Sequence, residues 1–168
     1  MAATIEIHEM SAAESGTDKT SDTVRFKDAD NATVNASNPL VIPAEGSIYS
    51  YTKKLRPYME DAPDTSISNI RWYTDGTNSF GAGVSVTCKN IGVTFGTQYK
   101  TAMEGGADLF GKTSASPLDG DGTDAGPFVP ADVDTYIGDI IELQMAVAST
   151  AAHGTLTAET LTLAYDEV

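Results

Sequence analysis

The sequence predicts an all-β domain, an antiparallel β-sandwich of the jelly-roll or immunoglobulin-like kind with long irregular loops. Apolar residues recur at alternate positions in several short segments, clusters of turn-forming residues separate these segments, and no segment keeps a helical period. The 168 residues are enough for one domain with a substantial core. We expect an N-terminal strand and polar arm over 1–22, followed by a sandwich domain over 23–168 with a loop excursion near 97–135.

A central strand is predicted around the only tryptophan. Ile70 and Trp72 share one face at the two-residue period of a strand, whereas Asn69, Arg71 and Tyr73 share the other. An Asp-Gly turn signal follows directly. An aromatic side chain of this size buries roughly 150–250 Å², so we expect Trp72 to fill the core rather than to stack on a ligand.

Seven to nine strands are expected in all. Alternation places the others at 4–8, 23–27 with Val24 and Phe26 inward, 47–56, 84–88, 137–148 and 161–167, with an edge segment at 40–42. Residues 11–22 are predicted to be a loop or mobile arm, and short helical turns to be limited to 97–104 or 131–137. The strand at 47–56 requires no bulge, and Pro57 is expected to end regular pairing or to lie at an edge.

The charge balance excludes some classes of partner. Ten Lys and Arg stand against 24 Asp and Glu, a formal charge of −14. Binding to nucleic acid requires a cationic face, and an anionic membrane would repel this chain. We therefore expect neither partner, and expect the acidic surface to favour solubility, docking to a basic partner or cation binding.

Cysteine usage and the chain start bear on the compartment. Cys88 is the only cysteine, so no intramolecular disulfide forms, and its place in an apolar alternation predicts a small buried hydrophobe. The first residues lack a secretory signal, and no window approaches the ~20 apolar residues of a membrane helix. We expect a soluble protein made in a cytoplasm, in which the sequons at Asn31 and Asn35 are plain polar turns.

No catalytic constellation is recognisable, and we expect neither an enzyme nor a cofactor. The two histidines, His8 and His153, are predicted to be exposed to solvent. The nearest approach to a metal site is the segment with Asp119, Asp121 and Asp124, whose alternating oxygen ligands suit calcium. It lacks the glycine and glutamate positions of an EF-hand, so a plain solvated turn is the alternative.

Three stretches carry a family resemblance: residues 38–46, 70–76 and the closing 161–167. Together they resemble small virion structural proteins of tailed bacteriophages, which decorate or cement the capsid surface. The resemblance implies a β-sandwich on the capsid surface of the virion, assembled in the host cytoplasm. Its implied partners are the lattice of the major capsid protein and copies of itself, for instance in a trimer.

The functional hypothesis is therefore a capsid decoration protein that clamps neighbouring capsid subunits. Tyr49, Tyr51, Tyr58 and Tyr73 are candidates for interface contacts, with core or rim packing as the alternative for each. The region 97–135 or the arm 8–22 is expected to reach a neighbouring subunit. The alternatives are a carbohydrate-binding module on the virion or tail, and a structural protein of the tail or neck; an enzyme is the weakest hypothesis.

Overall fold

The computed structural model describes residues 2–12, 15–31, 33 and 36–168, and nearly all its regular structure is β-sheet. Asn35 of the second sequon lies outside the described residues. Two single-turn 3-10 helices span Leu109–Gly111 and Pro130–Asp132. The strands are β1 (Thr4–Ala12), β2 (Ser15–Asp18), β3 (Ser47–Tyr49), β4 (Lys53–Asp61), β5 (Ile67–Tyr73), β6 (Val84–Asn90), β7 (Ala107–Asp108), β8 (Leu118–Asp119), β9 (Thr135–Tyr136), β10 (Ile141–Ala148) and β11 (Thr162–Glu167).

The strands form two sheets. The larger sheet has the order β2-β1-β4-β10-β6-β7, with β3 paired to β10 and β9 paired to β4, and the smaller has the order β11-β5-β8. Every ladder between these strands is antiparallel. Apolar side chains from both sheets meet in two clusters, one around Trp72 and one around Ile70. The predicted all-β antiparallel sandwich is confirmed.

The tryptophan strand is β5, and Ile70 and Trp72 are both fully buried, as predicted. Leu163 of β11 lies opposite Trp72. Asn69 has a φ of 55° in the left-handed region, and the register between β5 and β11 shifts beside it. This irregularity reverses the alternation, so Ile67 is also buried despite its odd spacing from Ile70.

The polar arm predicted for 8–22 is largely part of the sheet. β1 runs to Ala12 and pairs with β4 along most of its length, and β2 folds back onto β1. The sequence hid this because β2 is a short polar edge strand that buries little and therefore shows no apolar alternation. Ala13 and Glu14, between the two strands, lie outside the described residues.

The strand predicted at 23–27 is absent, although its faces were predicted correctly. Val24 and Phe26 pack against the core around Trp72, but the segment contributes isolated backbone hydrogen bonds, such as that from Tyr51 N–H to the Lys27 carbonyl (3.1 Å). The segment 40–42 likewise lies outside any strand. An extended segment that packs on the core without pairing has the same apolar alternation as a paired strand, so the alternation alone could not distinguish the two.

The strand predicted at 47–56 is two strands. Tyr49 pairs with Ala146, and Lys53 pairs with Leu143. Between these two pairs, the three residues 50–52 lie opposite the two residues 144–145 of β10. The extra residue is a bulge, and the Ser50 hydroxyl stabilises it by accepting a hydrogen bond from Met145 N–H (3.1 Å). The expectation that no bulge was required is wrong.

Pro57 neither ends pairing nor lies at an edge, because β4 continues through it to Asp61. Its partner Ile7 directs its own backbone groups away from β4, towards Thr20 Oγ1 and Lys19 N–H. Pro57 therefore faces β1 at a position where no amide donor is needed. On its other side its carbonyl accepts from Ile137 N–H (3.1 Å).

β10 is buried on both faces, although its alternation of apolar and polar residues is typical of a half-buried strand. Glu142 and Gln144, on the face opposite the apolar residues, are 4% and 2% exposed. The segment 97–104 covers this face without forming a helix, and Tyr99 donates its hydroxyl to Glu142 (2.9 Å). The remainder of the irregular region contributes β7, β8, β9 and the two 3-10 turns. Part of the loop excursion near 97–135 thus closes the polar side of the sheet.

Candidate functional site

A cluster of ionisable side chains lies where β1 pairs with β2. Register places His8 directly opposite Asp18, and Glu6 lies two residues before His8 on the same face. The Nε2 atom of His8 is 2.8 Å from Glu6 Oε2. Among the described residues, only Glu6, His8 and Asp18 bring three potential metal-ligand atoms within 4.8 Å of one another.

Two tyrosines fix the ring of His8. Tyr58 stacks on it with a centroid distance of 4.6 Å and an interplanar angle of 10°. The Tyr136 hydroxyl lies 3.1 Å from His8 Nδ1. The His8 side chain is only 12% exposed, so the prediction of a solvent-exposed histidine is wrong. The tyrosines come from β4 and β9, far along the chain, and no local pattern indicated that they would meet His8.

An open cleft of about 430 Å³ adjoins this cluster and is lined in part by His8, Tyr58 and Tyr136. Gly16 of β2 also lines it, and a Cβ added there would lie 2.8 Å from His8 Cβ and 2.9 Å from the Tyr136 hydroxyl oxygen. Glycine at this position therefore allows the edge strand to approach the two rings closely.

The electrostatic environment of the cluster is negative. Burial raises the pKa of Tyr58, and the nearby carboxylates of Asp134, Glu60 and Glu6 raise it further. Hydrogen bonds from the Thr20 hydroxyl and amide hold the pKa of Asp18 below its usual value. Asp18 is therefore a carboxylate at neutral pH, and the site favours a cation over an anion.

Of the three aspartates singled out for calcium, only Asp119 and Asp121 come together. Burial, and then the contact with the Asp119 carboxyl group, raises the pKa of Asp121. Asp121 accepts from the backbone N–H of Ile70 (3.1 Å), and the Asp119 carboxylate accepts from Asp121 N–H (3.1 Å). Asp124 turns away to form an ion pair with Arg56 (2.9 Å). The alternative of a turn fits better, but this turn is held by protein contacts rather than plainly solvated.

Asp139 organises this turn, and sequence reasoning missed it. Its carboxylate is fully buried and accepts three hydrogen bonds of 2.8 Å, from the backbone N–H groups of Thr123 and Asp124 and from the side-chain amide of Asn90. In the sequence, the one indication was the position of Asp139 just before the apolar residues of β10. An acidic residue that is buried beside such a strand is expected to accept hydrogen bonds from its neighbours.

The other histidine, the candidate tyrosines and the cysteine lie at different depths in the fold. His153 is exposed, and the four tyrosines proposed for contacts, Tyr49, Tyr51, Tyr58 and Tyr73, are all half-buried. Cys88 is buried as predicted, and burial raises the pKa of its thiol to about 11.

Basic and acidic side chains are distributed very differently between interior and surface. Five of the ten basic residues are buried: Lys19, Lys27, Lys53, Lys54 and Arg56. Of the acidic residues that the structure describes, only Glu9, Asp139 and Glu142 are buried. The surface is therefore more strongly acidic than the formal charge of the chain suggests.

Comparison with protein-family models, with curated proteins and with solved structures found no significant match. Among the described residues, no helix is both long and apolar enough to cross a membrane.

Proposed function

We propose that this chain is a structural protein of a tailed-bacteriophage virion that decorates or cements the capsid surface. The observation that carries the proposal is the distribution of charge. Half of the basic side chains are buried, while nearly all the described acidic ones reach solvent. Such a surface is complementary to a basic protein surface and opposes binding to nucleic acid.

The three stretches that carry the family resemblance lie close together in the fold, which supports treating them as one pattern. Residues 70–76 begin in β5 and residues 161–167 include β11, and these two strands pair through Trp72 and Leu163. In the third stretch, Leu40 and Ile42 pack against the same core as Trp72. The resemblance thus rests on segments that meet in space.

The proposed mechanism is clamping of neighbouring capsid subunits. A protein that binds only the assembled lattice stabilises it by RT ln(1 + [L]/Kd). Contacts made at several points, through one copy or a symmetric oligomer, raise the effective affinity further. The contacts would be largely electrostatic, with acidic side chains of this chain facing basic groups of the capsid.

The carbohydrate-binding alternative has less support. It needs an exposed aromatic platform for the face of a sugar, and Trp72 is completely buried. A location on the tail or neck would use the same acidic surface and is separated from capsid decoration by the experiment below.

The test uses particles from a phage genome that lacks this gene, with the purified full-length chain added back. We expect these particles to lose integrity at a lower temperature than complete ones, and the added chain to restore the difference. Cosedimentation with the particles should weaken as NaCl rises, because salt screens surface charges over about 8–10 Å. Sucrose at matched osmolality is the control and should leave binding unchanged.

Two results would overturn the proposal: equal stability of particles with and without the chain, or no retention of the chain at low salt. Imaging of the intact particle at side-chain resolution then places the chain on head, neck or tail. Density on the tail alone would replace capsid decoration by the tail alternative.

A further inference from the structure

We propose that Glu6, His8 and Asp18 form a binding site for a divalent transition-metal ion such as Zn²⁺. The three residues offer one imidazole nitrogen and two carboxylates, a ligand set that such ions accept. The proposal concerns the isolated chain and does not depend on the proposed function.

The backbone brings the ligands together without a special loop. His8 and Asp18 are a cross-strand pair of β1 and β2, and Glu6 lies on the same face as His8. Their ligand atoms already lie within 4.8 Å of one another. A tetrahedral zinc site with bonds of about 2.0–2.2 Å has its ligand atoms about 3.3–3.6 Å apart. Small side-chain rotations of Glu6 and Asp18 are enough to reach that spacing.

The histidine is oriented for the purpose. Tyr136 holds Nδ1 through its hydroxyl (3.1 Å), so Nε2 is the atom that faces the carboxylate of Glu6 (2.8 Å). Metal-binding histidines are commonly held in this way, with the second ring nitrogen hydrogen-bonded to a neighbouring group. Stacking on Tyr58 fixes the plane of the ring as well.

The surroundings of the cluster are acidic. Asp134 lines the same cleft as His8 and Tyr58. The basic groups close to the cluster have partners of their own. Lys19, next to Asp18, pairs with Asp22 (3.0 Å), and Arg56, 5.8 Å from the Tyr136 ring, pairs with Asp124 (2.9 Å). A bound cation would therefore reduce repulsion among the acids.

The ligand set also discriminates between ions. Calcium and magnesium prefer six or more oxygen ligands, whereas imidazole suits zinc, nickel and copper. Three protein ligands leave further positions for water, and the partly exposed carboxylates give the ion a path to the site.

The test is isothermal titration of the metal-free full chain with ZnCl₂, and separately with CaCl₂. We expect one zinc ion per chain, with binding lost in His8→Ala. His153→Ala is the matched control, since it removes the only other histidine, which is exposed. The zinc affinity of this variant should equal that of the unmodified chain. Tyr136→Phe should weaken binding by roughly 10-fold or more, as loss of an outer hydrogen bond to a ligand does.

Asp18→Asn keeps the test decisive if His8→Ala does not fold, because Asp18 is exposed and can be replaced without opening the core. It should weaken zinc binding, and the Co²⁺-loaded chain should show a tetrahedral absorption spectrum that Asp18→Asn changes. The proposal is overturned if zinc does not bind, if His8→Ala and Asp18→Asn bind it unchanged, or if calcium binds equally well.

Discussion

The Nζ atom of Lys53 lies 2.8 Å from Glu9 Oε1, and the two side chains are only 1% and 2% exposed. Lys53 also donates to the carbonyl of Asn31 (2.6 Å). Among the described residues, the other carboxylate oxygen of Glu9 is buried without a hydrogen-bond partner. The pair links β1 to β4 on the polar side of the larger sheet, so its two charges are out of water and depend on each other.

Removing one member of this pair should therefore cost more than removing both. Glu9→Leu leaves a buried ammonium, and Lys53→Met leaves a buried carboxylate, each expected to lower the free energy of unfolding by about 3–5 kcal/mol. The double variant replaces both by apolar side chains of similar size and should be less destabilised than either single variant. Urea unfolding measures all four proteins, and additive losses in the double variant would contradict this account.

Asp139 should be more important for stability than an exposed aspartate that accepts a single backbone hydrogen bond. Asp139→Ala leaves three donors without their acceptor, two of them backbone N–H groups, and we expect a loss of roughly 2–4 kcal/mol. Hydrogen exchange at the Thr123 and Asp124 amides should accelerate. Asp75→Ala is the control, because this exposed carboxylate accepts from one amide, that of Thr77. Equal losses in both variants would argue against an organising role for Asp139.

Gly120 should tolerate no side chain. A Cβ at this position would lie 2.8 Å from Ile70 Cγ2 and 2.9 Å from Trp72 Cδ1, and both neighbours are core residues that cannot withdraw. We expect Gly120→Ala to cost about 1–3 kcal/mol through overpacking. Unfolding is followed by the fluorescence of Trp72, the only tryptophan.

Gly111→Ala is the matched control for that substitution. Its added Cβ would meet nothing closer than Asp108 Cβ at 3.9 Å, so its effect should stay within about 0.5 kcal/mol. If the two variants have the same free energy of unfolding, the backbone near Trp72 can shift to accommodate a methyl group, and the overpacking argument is wrong.

The alternation of apolar and polar residues predicted correctly the strands in which one face is buried and the other is not covered by a distant segment. β5, β6 and β11 have one apolar face, so the two-residue spacing alone places Trp72, Cys88 and Leu163 on the core side. The same reasoning failed for β10, since burial of Glu142 and Gln144 depends on a covering segment some forty residues earlier.

The candidate site was missed for a related physical reason. His8 has no special local sequence, and its environment is made by Tyr58 of β4 and Tyr136 of β9. Register brings Asp18 opposite His8, and register is fixed by the whole sheet rather than by the short polar strand β2. The acidic turn at 119–124, by contrast, had a conspicuous local pattern, yet its carboxylates are engaged by Ile70 and Arg56.

The buried thiol of Cys88 should make the fold sensitive to alkaline pH. Burial raises its pKa from 9.0 to about 11, so between these values the unfolded chain loses a proton that the folded chain keeps. The stabilising contribution is complete below pH 9 and is lost as the pH rises towards 11, by about 2 kcal/mol between pH 8.5 and 10.5. Cys88→Val has no thiol to titrate, so its free energy of unfolding should fall by about 2 kcal/mol less over that interval. Urea unfolding at both pH values measures the difference, and parallel pH profiles would show that Cys88 does not contribute to it.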